Sequence, residues 1–277
     1  MIVVTGATGN VGRPLVQVLL EAGEEVTALS RRPEGEEAGV RYRQADLADP
    51  ASLKPVLDGA DALFLLIAGD GAELDPGEIL DVVKAAGVRR VVLLSSVNVG
   101  TRPGFVAGGL LRAFEEAVER SGLEWTVLRP GGFGSNACLW AEPVRAYRTV
   151  TAPFGDVGLP VVDPADIAEV AAAALREGGH SGRTYVLTGP AAISPREQAR
   201  VIGDVLGEPV RFTEITRAEA RAQMTRFMPE AAVDGTLDIL GEPSADEQQV
   251  SPAVEQVLGR APRPFAAWAG RNADAFR

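Results

Sequence analysis

Short apolar runs alternate with longer amphipathic stretches through the first half of the chain. The apolar runs predict strands at residues 2–5, 25–29, 62–67, 91–95 and 125–128. Several are apolar on consecutive residues, which is typical of strands covered on both faces. The longer stretches predict helices at 14–22, 51–57, 76–86 and 110–121, most of them followed by a glycine that can end a helix. This alternation predicts a parallel sheet with helices on both faces.

The regular alternation loosens after Pro130. A helix at 164–176 and a strand at 184–187 still follow the earlier pattern. Beyond them we expect a helix at 195–206, a short strand at 210–213, a helix from 217 to 226 or beyond, and a helical tail at 265–276. The irregular stretches between these elements are rich in glycine, proline and aromatic residues, and such stretches often contact substrate.

A glycine-rich loop separates the first predicted strand from the first predicted helix. It reads Thr5-Gly6-Ala7-Thr8-Gly9-Asn10-Val11-Gly12, and Pro14 then suits the first turn of a helix. Gly6 would permit a tight turn, Gly9 would let the backbone approach a pyrophosphate, and Gly12 would let the helix pack closely on the sheet. A helix N-terminus attracts an anion, so the loop predicts a dinucleotide site. The alternative is a plain strand-to-helix turn. The candidate cofactor contacts are Gly6, Thr8, Gly9, Asn10, Val11 and Gly12.

The end of the second predicted strand indicates which dinucleotide is bound. NAD sites place there an acidic residue that accepts from the ribose 2′-hydroxyl, whereas this chain has Ser30-Arg31-Arg32. Arginine binds phosphate through two parallel hydrogen bonds, so Arg31 and Arg32 are predicted to hold the 2′-phosphate of NADP(H). For Arg32, a solvated loop position is an equal alternative. Asp46 and Leu47 follow the expected third strand, where Asp46 either accepts from the adenine amino group or caps the next helix.

The fold class expected from these features is α/β, a Rossmann-type doubly wound parallel sheet with a smaller C-terminal substrate lobe. The predicted NADP-binding core comprises residues 1–130, and residues 161–189 return to it. The predicted substrate-binding lobe comprises residues 131–160 and 190–277.

Composition excludes several other classes of protein. A net charge of −11 with dispersed basic residues argues against nucleic-acid binding, which needs clustered Lys and Arg. No run of 18 apolar residues occurs, and no basic, apolar leader precedes the first strand, so we expect no membrane partner and a cytoplasmic location. Cys138 and His180 are the only residues of their types, which excludes an internal disulfide and a structural zinc site. The expected partner is a small-molecule substrate, and the chain is expected to be a monomer or homodimer.

These motifs together resemble the NmrA-like atypical short-chain dehydrogenases/reductases. The resemblance spans nearly the whole chain and rests on residues 5–12, 45–47, 94–96, 121–131, 163–168 and 188–190. It implies an NADP-type pocket at the carboxyl ends of the strands and a substrate lobe from the C-terminal part. Members of the family include NADPH-dependent quinone and azo reductases, catalysts of secondary metabolism, and non-catalytic nucleotide sensors.

One catalytic feature of the related tyrosine–lysine enzymes is absent. In those enzymes a lysine lowers the pKa of a tyrosine four residues earlier, so that the phenol transfers a proton while the nicotinamide transfers hydride. The span between Ser96 and Trp125 contains neither Tyr nor Lys. Carbonyl/alcohol chemistry that depends on this pair is therefore disfavoured. Quinones need less help, because their reduced form is aromatic and water protonates it readily.

Further site residues are expected where the parallel strands end, because ligands bind there in open α/β sheets. Ser96 and Asn98 are the candidate catalytic contacts to a carbonyl oxygen, and the alternative for each is ordinary capping of a turn. Glu115 is expected on an exposed helix face. The remaining cofactor candidates are Leu66, Ile67, Ala68, Ser95 and Pro130, and the substrate candidates are Gly131, Phe133 and Asn136.

The sequence thus favours an NADPH-dependent oxidoreductase that acts on a small aromatic, quinone-like or enone carbonyl compound. Two alternatives remain open at this point. One is a redox sensor that binds NADP(H) without turning it over, and the other is a non-redox cyclase, epimerase or dehydratase on the same fold.

Overall fold

The structure is a computed structural model that describes residues 1–30, 39–67, 74–105 and 108–277. Its residues form two compact units, each assembled from three separate stretches of the chain. Unit 1 comprises Met1–Val99, Gly109–Pro130 and Pro164–Val186. Unit 2 comprises Gly100–Gly108, Gly131–Asp163 and Leu187–Arg277.

Nine strands lie within the described ranges. They are β1 (Ile2–Thr5), β2 (Val26–Ser30), β3 (Val40–Gln44), β4 (Ala62–Leu66), β5 (Arg90–Leu94), β6 (Glu124–Pro130), β7 (Thr149–Ala152), β8 (Arg183–Leu187) and β9 (Arg211–Glu214). Seven of them form one sheet in the order β3-β2-β1-β4-β5-β6-β8. The pairings from β3 through β6 are parallel, and Val4 of β1 lies between Ala28 and Phe64. The strand order reverses beside β1, which is the doubly wound topology that the sequence predicted.

Some of the α-helices cover the sheet in unit 1, and the others belong to unit 2. They are α1 (Gly12–Glu21), α2 (Lys54–Leu57), α3 (Pro76–Ala85), α4 (Asn98–Thr101), α5 (Gly109–Arg120), α6 (Ala141–Tyr147), α7 (Pro164–Arg176), α8 (Pro195–Leu206), α9 (Arg217–Met224), α10 (Glu230–Gly241), α11 (Ala245–Gln248), α12 (Ala253–Leu258) and α13 (Phe265–Arg271). In the described part of the chain, three short 3₁₀ helices span Pro50–Leu53, Gly134–Trp140 and Ala273–Phe276. Among the described helices, none has an apolar stretch long enough to cross a bilayer.

Helices cover both faces of the sheet in unit 1. Successive side chains of a strand point to opposite faces, so Leu63 and Leu65 of β4 face one side and Phe64 faces the other. Leu63 and Leu65 join a buried cluster with Phe114 of α5 and residues of α3. On the other face α1 packs against α7, and Leu15 and Ile167 are fully buried.

Unit 2 has a small sheet and two cores of its own. β7 and β9 pair in parallel, with Val150 opposite Phe212. The larger core includes Val150, Ile202 of α8 and Trp268 of α13. A smaller core between α9 and α10 contains Ala220 and Leu237.

The predicted fold class, a Rossmann-type α/β sheet, is confirmed. The predicted helix at 51–57 is divided at Lys54 into a 3₁₀ turn and α2, and Pro55 supplies no amide hydrogen for a continuous helix. The predicted tail at 265–276 similarly divides into α13 and a 3₁₀ turn. The pattern did not predict β7 or α10.

Candidate functional site

The glycine loop, residues 6–12, makes a tight turn between β1 and α1. Gly6 has a φ of +63°, a left-handed conformation that favours glycine, and its carbonyl accepts from the Gly9 amide at 3.0 Å. At Gly12 a β-carbon would lie 2.1 Å from the Gly6 oxygen, so no side chain fits where the helix starts. The two glycines let the chain turn sharply and begin α1 directly above the end of β1.

The start of α1 fits an anionic group. Within the described residues its N-cap, Val11, offers no side-chain hydrogen bond to the first amides, and the first turn contains no acidic residue. The tip of the loop, Thr8 to Asn10, is exposed, while Ala7 and Val11 beside it are buried. Amide hydrogens and the positive end of the helix dipole are therefore accessible to a phosphate.

The ends of β1 and β4 are held together beside this loop. The Thr5 hydroxyl donates to the carbonyl oxygens of Phe64 and Leu66 and accepts from the Leu66 amide at 2.6 Å. The Leu66 side chain lies against Gly6, within 2.9 Å of where a β-carbon would be. Leu66 thus borders the glycine loop and the half-buried Ile67 follows it, and their contact with cofactor stays a prediction. Ala68 lies outside the described residues.

The residues expected to choose between NAD and NADP are only partly described. Arg31 and Arg32 lie outside the described residues, so their contact with a 2′-phosphate stays a prediction. Asp46 is exposed, and its Oδ1 accepts from the Ala48 amide at 3.1 Å. Asp49 is the N-cap of the following 3₁₀ helix, so the side chain of Asp46 stabilises a turn rather than capping that helix. Leu47, beside it, is half-buried.

Beyond β5 the chain places two polar side chains at the sheet edge. Ser96 and Asn98 are half-buried, and the backbone amide of Asn98 donates to the Ser96 hydroxyl at 3.3 Å. The Ser96 side chain thus stabilises a turn just before α4, which is the alternative that the sequence left open for it. The Val97 amide donates to the carbonyl of Pro130 at 3.0 Å, which brings the end of β6 beside these residues. Ser96, Asn98 and Pro130 therefore form one cluster in unit 1.

Glu115 is buried, and the expectation that it is exposed is wrong. Only 3% of the residue is accessible, because its carboxylate accepts from the Ser95 hydroxyl and from both Nε and Nη2 of Arg129. The hydrogen bonds from Arg129 to Glu115 raise the pKa of the guanidinium, although partial desolvation opposes this. The sequence carried a signal for this burial. Leu111, Phe114 and Val118 form the apolar stripe of α5, and Glu115 lies on the same face.

The predicted substrate contacts lie in unit 2. The Gly131 amide donates to the carbonyl of Leu187 at 2.9 Å, and Phe133 forms a β-bridge with Val162. Asn136 is exposed on the 3₁₀ helix that follows. These three residues follow one another along a single segment, and their contact with substrate stays a prediction.

Comparisons with known proteins agree with this geometry. A family model described as NAD(P)H-binding matches residues 6–178. A Streptomyces griseus protein, (4-alkanoyl-5-oxo-2,5-dihydrofuran-3-yl)methyl phosphate reductase, is 40% identical across 100% of this chain and 99% of that protein. The NAD(P)H azoreductase of Xenophilus azovorans is 32% identical, with the same coverage of both chains. A crystal structure of an NADPH-dependent quinone oxidoreductase from Escherichia coli has a TM-score of 0.80 and 25% identity over 98% of this chain and 99% of that one.

The family match and the identity to these relatives extend through the glycine loop, the strand ends and α7. They confirm the resemblance that the sequence motifs carried. The chain belongs to the NAD(P)H-binding family.

Proposed function

We propose that this chain is an NADPH-dependent reductase of a small aromatic, quinone-like or enone carbonyl compound. The observation that carries the proposal is the 40% identity, over the full chain, to a reductase named for a 5-oxo-2,5-dihydrofuran. That ring holds a carbon–carbon double bond conjugated with carbonyl groups. The azo compounds and quinones named for two other relatives are also electron-poor conjugated systems. A substrate of this class accepts hydride at one end of a conjugated bond.

The glycine loop would hold the pyrophosphate of the cofactor through the amides at the start of α1. Arg31 and Arg32 would pair with the 2′-phosphate. When bound, NADPH supplies the hydride that the substrate accepts. Asp46 keeps one carboxylate oxygen in a local turn and is exposed beside the end of β3, where its carboxylate would accept from the adenine amino group.

Ser96 and Asn98 are assigned the contact with the substrate carbonyl. A hydroxyl and an amide at this edge donate hydrogen bonds to an oxygen that becomes negative as hydride arrives, which stabilises the transition state. The span from Ser96 to Trp125 has no Tyr or Lys, and a reduced conjugated acceptor such as a hydroquinone can take its final proton from water. Hydride acceptors whose reduced form is already stabilised by conjugation suit such a site better than simple ketones.

The C-terminal part is assigned to substrate binding. Gly131, Phe133 and Asn136 would line that site, with the Phe133 ring against an aromatic or planar substrate. In this scheme residues 131–160 and 190–277 select the substrate, while residues 1–130 with 161–189 bind the cofactor.

Consumption of NADPH by the purified protein tests the proposal. The assay follows absorbance of the reduced nicotinamide with a panel of quinones, cyclic enones, unsaturated lactones and azo dyes. We expect turnover with at least one conjugated acceptor and little with simple ketones. Tight NADPH binding without turnover across the whole panel would refute the reductase and favour a sensor.

Cofactor preference is tested separately with Arg31→Ala. Loss of the guanidinium should weaken NADPH binding about tenfold or more, equivalent to about 1.4 kcal/mol, and leave NADH binding unchanged. Titration of both nucleotides by fluorescence measures this. Arg43→Ala is the matched control, since Arg43 is exposed on β3 and donates only to its neighbour's carbonyl among the contacts described. Equal losses for NADPH and NADH in Arg31→Ala would contradict the assignment.

A further inference from the structure

The segment Ser95–Val99, directly after β5, is held at both ends by side chains of α5. The Ser95 hydroxyl donates to the Glu115 carboxylate, and Arg112 donates from Nη2 to the carbonyl of Val99 at 2.9 Å. Arg112 and Glu115 are three residues apart and therefore lie on one face of the helix. The three residues between the two contacts include Ser96 and Asn98, to which the proposed function assigns the substrate.

The Glu115 end of this arrangement is itself fixed. Its side chain is 4% exposed and pairs with Arg129, whose Nε lies 3.0 Å from Oε1 and whose Nη2 donates to Oε2. A carboxylate that accepts two parallel bonds from one guanidinium has little rotational freedom. Arg129 belongs to β6. The Glu115 carboxylate that contacts Ser95 is therefore held by the sheet as well as by α5.

The backbone of the segment is also held by β6. The Ser95 amide donates to the carbonyl of Leu128 at 2.7 Å, and the Val97 amide donates to that of Pro130. Backbone bonds to β6 fix where the segment runs. They do not reach Val99, whose amide donates to the Ser96 carbonyl at 3.1 Å and whose own carbonyl accepts from Arg112.

We propose that Arg112 and Glu115 are positioning residues for the reaction, and this inference rests on the proposed function. They hold the segment Ser95–Val99 so that the side chains of Ser96 and Asn98 meet the substrate oxygen at the required distance. Within the described contacts Glu115 meets Ser95 and Arg129, and Arg112 meets the Val99 carbonyl, so both side chains act on the segment that carries Ser96 and Asn98. A displacement of about 1 Å at a reacting group can cost about 100-fold in rate, so two such contacts affect catalysis without touching substrate.

Arg112→Met tests the proposal, because Met keeps much of the length of the side chain and removes its donors. With 2-methyl-1,4-naphthoquinone as acceptor we expect kcat to fall about tenfold or more. The Kd for NADPH should stay within about twofold and the Tm within about 2 °C. Arg112→Lys, which can still donate to the Val99 carbonyl, should recover part of the lost kcat.

Arg120→Met is the matched control on the same helix. Arg120 is 72% exposed and contacts Glu116 one turn before it at 3.6 Å, so its loss should leave kcat and NADPH binding unchanged. A purely structural role predicts instead that Arg112→Met lowers Tm, NADPH affinity and kcat together. That result, or an unchanged kcat, overturns the proposal.

Hydrogen–deuterium exchange gives a readout that needs no turnover. In Arg112→Met and in Glu115→Gln we expect the peptide covering residues 95–101 to exchange faster, while peptides of β1 and α7 keep their protection. Unchanged exchange in that peptide overturns the inference. If the wild-type chain reduces no acceptor, the proposed function fails, and the exchange measurement still decides whether α5 restrains the segment.

Discussion

Gly12 leaves no space for a side chain at the start of α1. A β-carbon there would meet backbone atoms, at 2.1 Å from the Gly6 oxygen and 2.7 Å from the Ala7 Cα, so the loop would have to move. We predict that Gly12→Ala destabilises the fold by about 1–3 kcal/mol, the usual range for overpacking. It should also weaken NADPH binding, because residues 6–12 shift. Urea unfolding and a fluorescence titration measure the two effects.

Gly270→Ala provides the matched control. Gly270 lies in α13 with nothing within 4 Å of its β-carbon position, and alanine is favoured there by about 0.5–1 kcal/mol. This variant should be at least as stable as the wild type and bind NADPH normally. Normal NADPH affinity in Gly12→Ala as well would contradict the role assigned to the loop.

Single residues were predictable from sequence where their role depends on neighbours in the chain. A predicted strand followed by three glycines and a proline indicates, from sequence alone, that Gly6 and Gly12 lie at a turn. Glu115 was misjudged because its burial depends on Arg129, 14 residues later on another element. A helix pattern shows which face is apolar, but not that the facing strand supplies a guanidinium.

Among the elements of unit 2, the short helix α11 is joined to the start of segment Gly100–Gly108 by a buried ion pair. The side chain of Glu247 is 2% exposed and accepts from Nε of Arg102 at 2.7 Å. It also accepts from the Thr101 hydroxyl, and Arg102 donates further to the carbonyl of Glu242. Burial alone would raise the pKa of Glu247, but the bonds from Arg102 and Ser244 hold it below its ordinary value.

We predict that Glu247→Gln destabilises the protein by about 1.5–3 kcal/mol at pH 7, the range for hydrogen bonds to charged groups. Since the folded pKa lies below the ordinary value of 4.5, this stabilisation is fully present above about pH 4.5. It is lost as the pH falls through the folded pKa. Urea unfolding at pH 7 and at acid pH should therefore show the difference between wild type and variant shrinking.

The neighbouring Asp246→Asn is the control for this pH dependence. Asp246 is exposed on the same helix, and its substitution should change stability by no more than about 0.5 kcal/mol. If Glu247→Gln is as stable as this control at pH 7, the ion pair does not stabilise the fold.

The elements best predicted from sequence were those with a strong hydrophobic period. α7 coincides with its predicted bounds because Ile167, Val170 and Ala171 repeat on a buried face. α10 was missed, since an interior glycine weakens a helical pattern. The structure shows the reason for that residue: a β-carbon on Gly235 would lie 2.4 Å from the Phe105 ring. Contacts between segments so far apart leave no local signal.

At the scale of the whole molecule, each unit depends on distant parts of the chain. α1 and α7 pack together although about 140 residues separate them. We predict that a fragment ending at residue 163 does not fold, because α1 loses its partner and β6 loses β8. Circular dichroism should show no cooperative thermal transition, and NADPH should not bind. A fragment that unfolds cooperatively and binds NADPH would contradict this interdependence, with the full chain as reference.

The architecture of the whole molecule was predicted because a parallel sheet imposes a repeating order on the sequence. The helix and strand patterns at residues 161–189 lead us to expect that this stretch returns to the cofactor-binding core, and that boundary stays a prediction. The pairing of β7 with β9 was not predictable, because each strand has four residues and about 60 residues intervene. A connection of that length leaves no local sequence pattern that indicates which two strands pair.

The packing of α1 against α7 also determines when the apolar face of α1 becomes covered during synthesis. The ribosome adds α1 long before α7, so α1 gains this neighbour only after residue 176 has been added. At a synthesis rate of about 5–20 residues per second, the apolar face of α1 stays without α7 for roughly 8 s or longer. During that interval α1, with its apolar residues Leu15 and Leu19, lacks α7. We therefore expect chaperones to bind the nascent chain until its second half emerges.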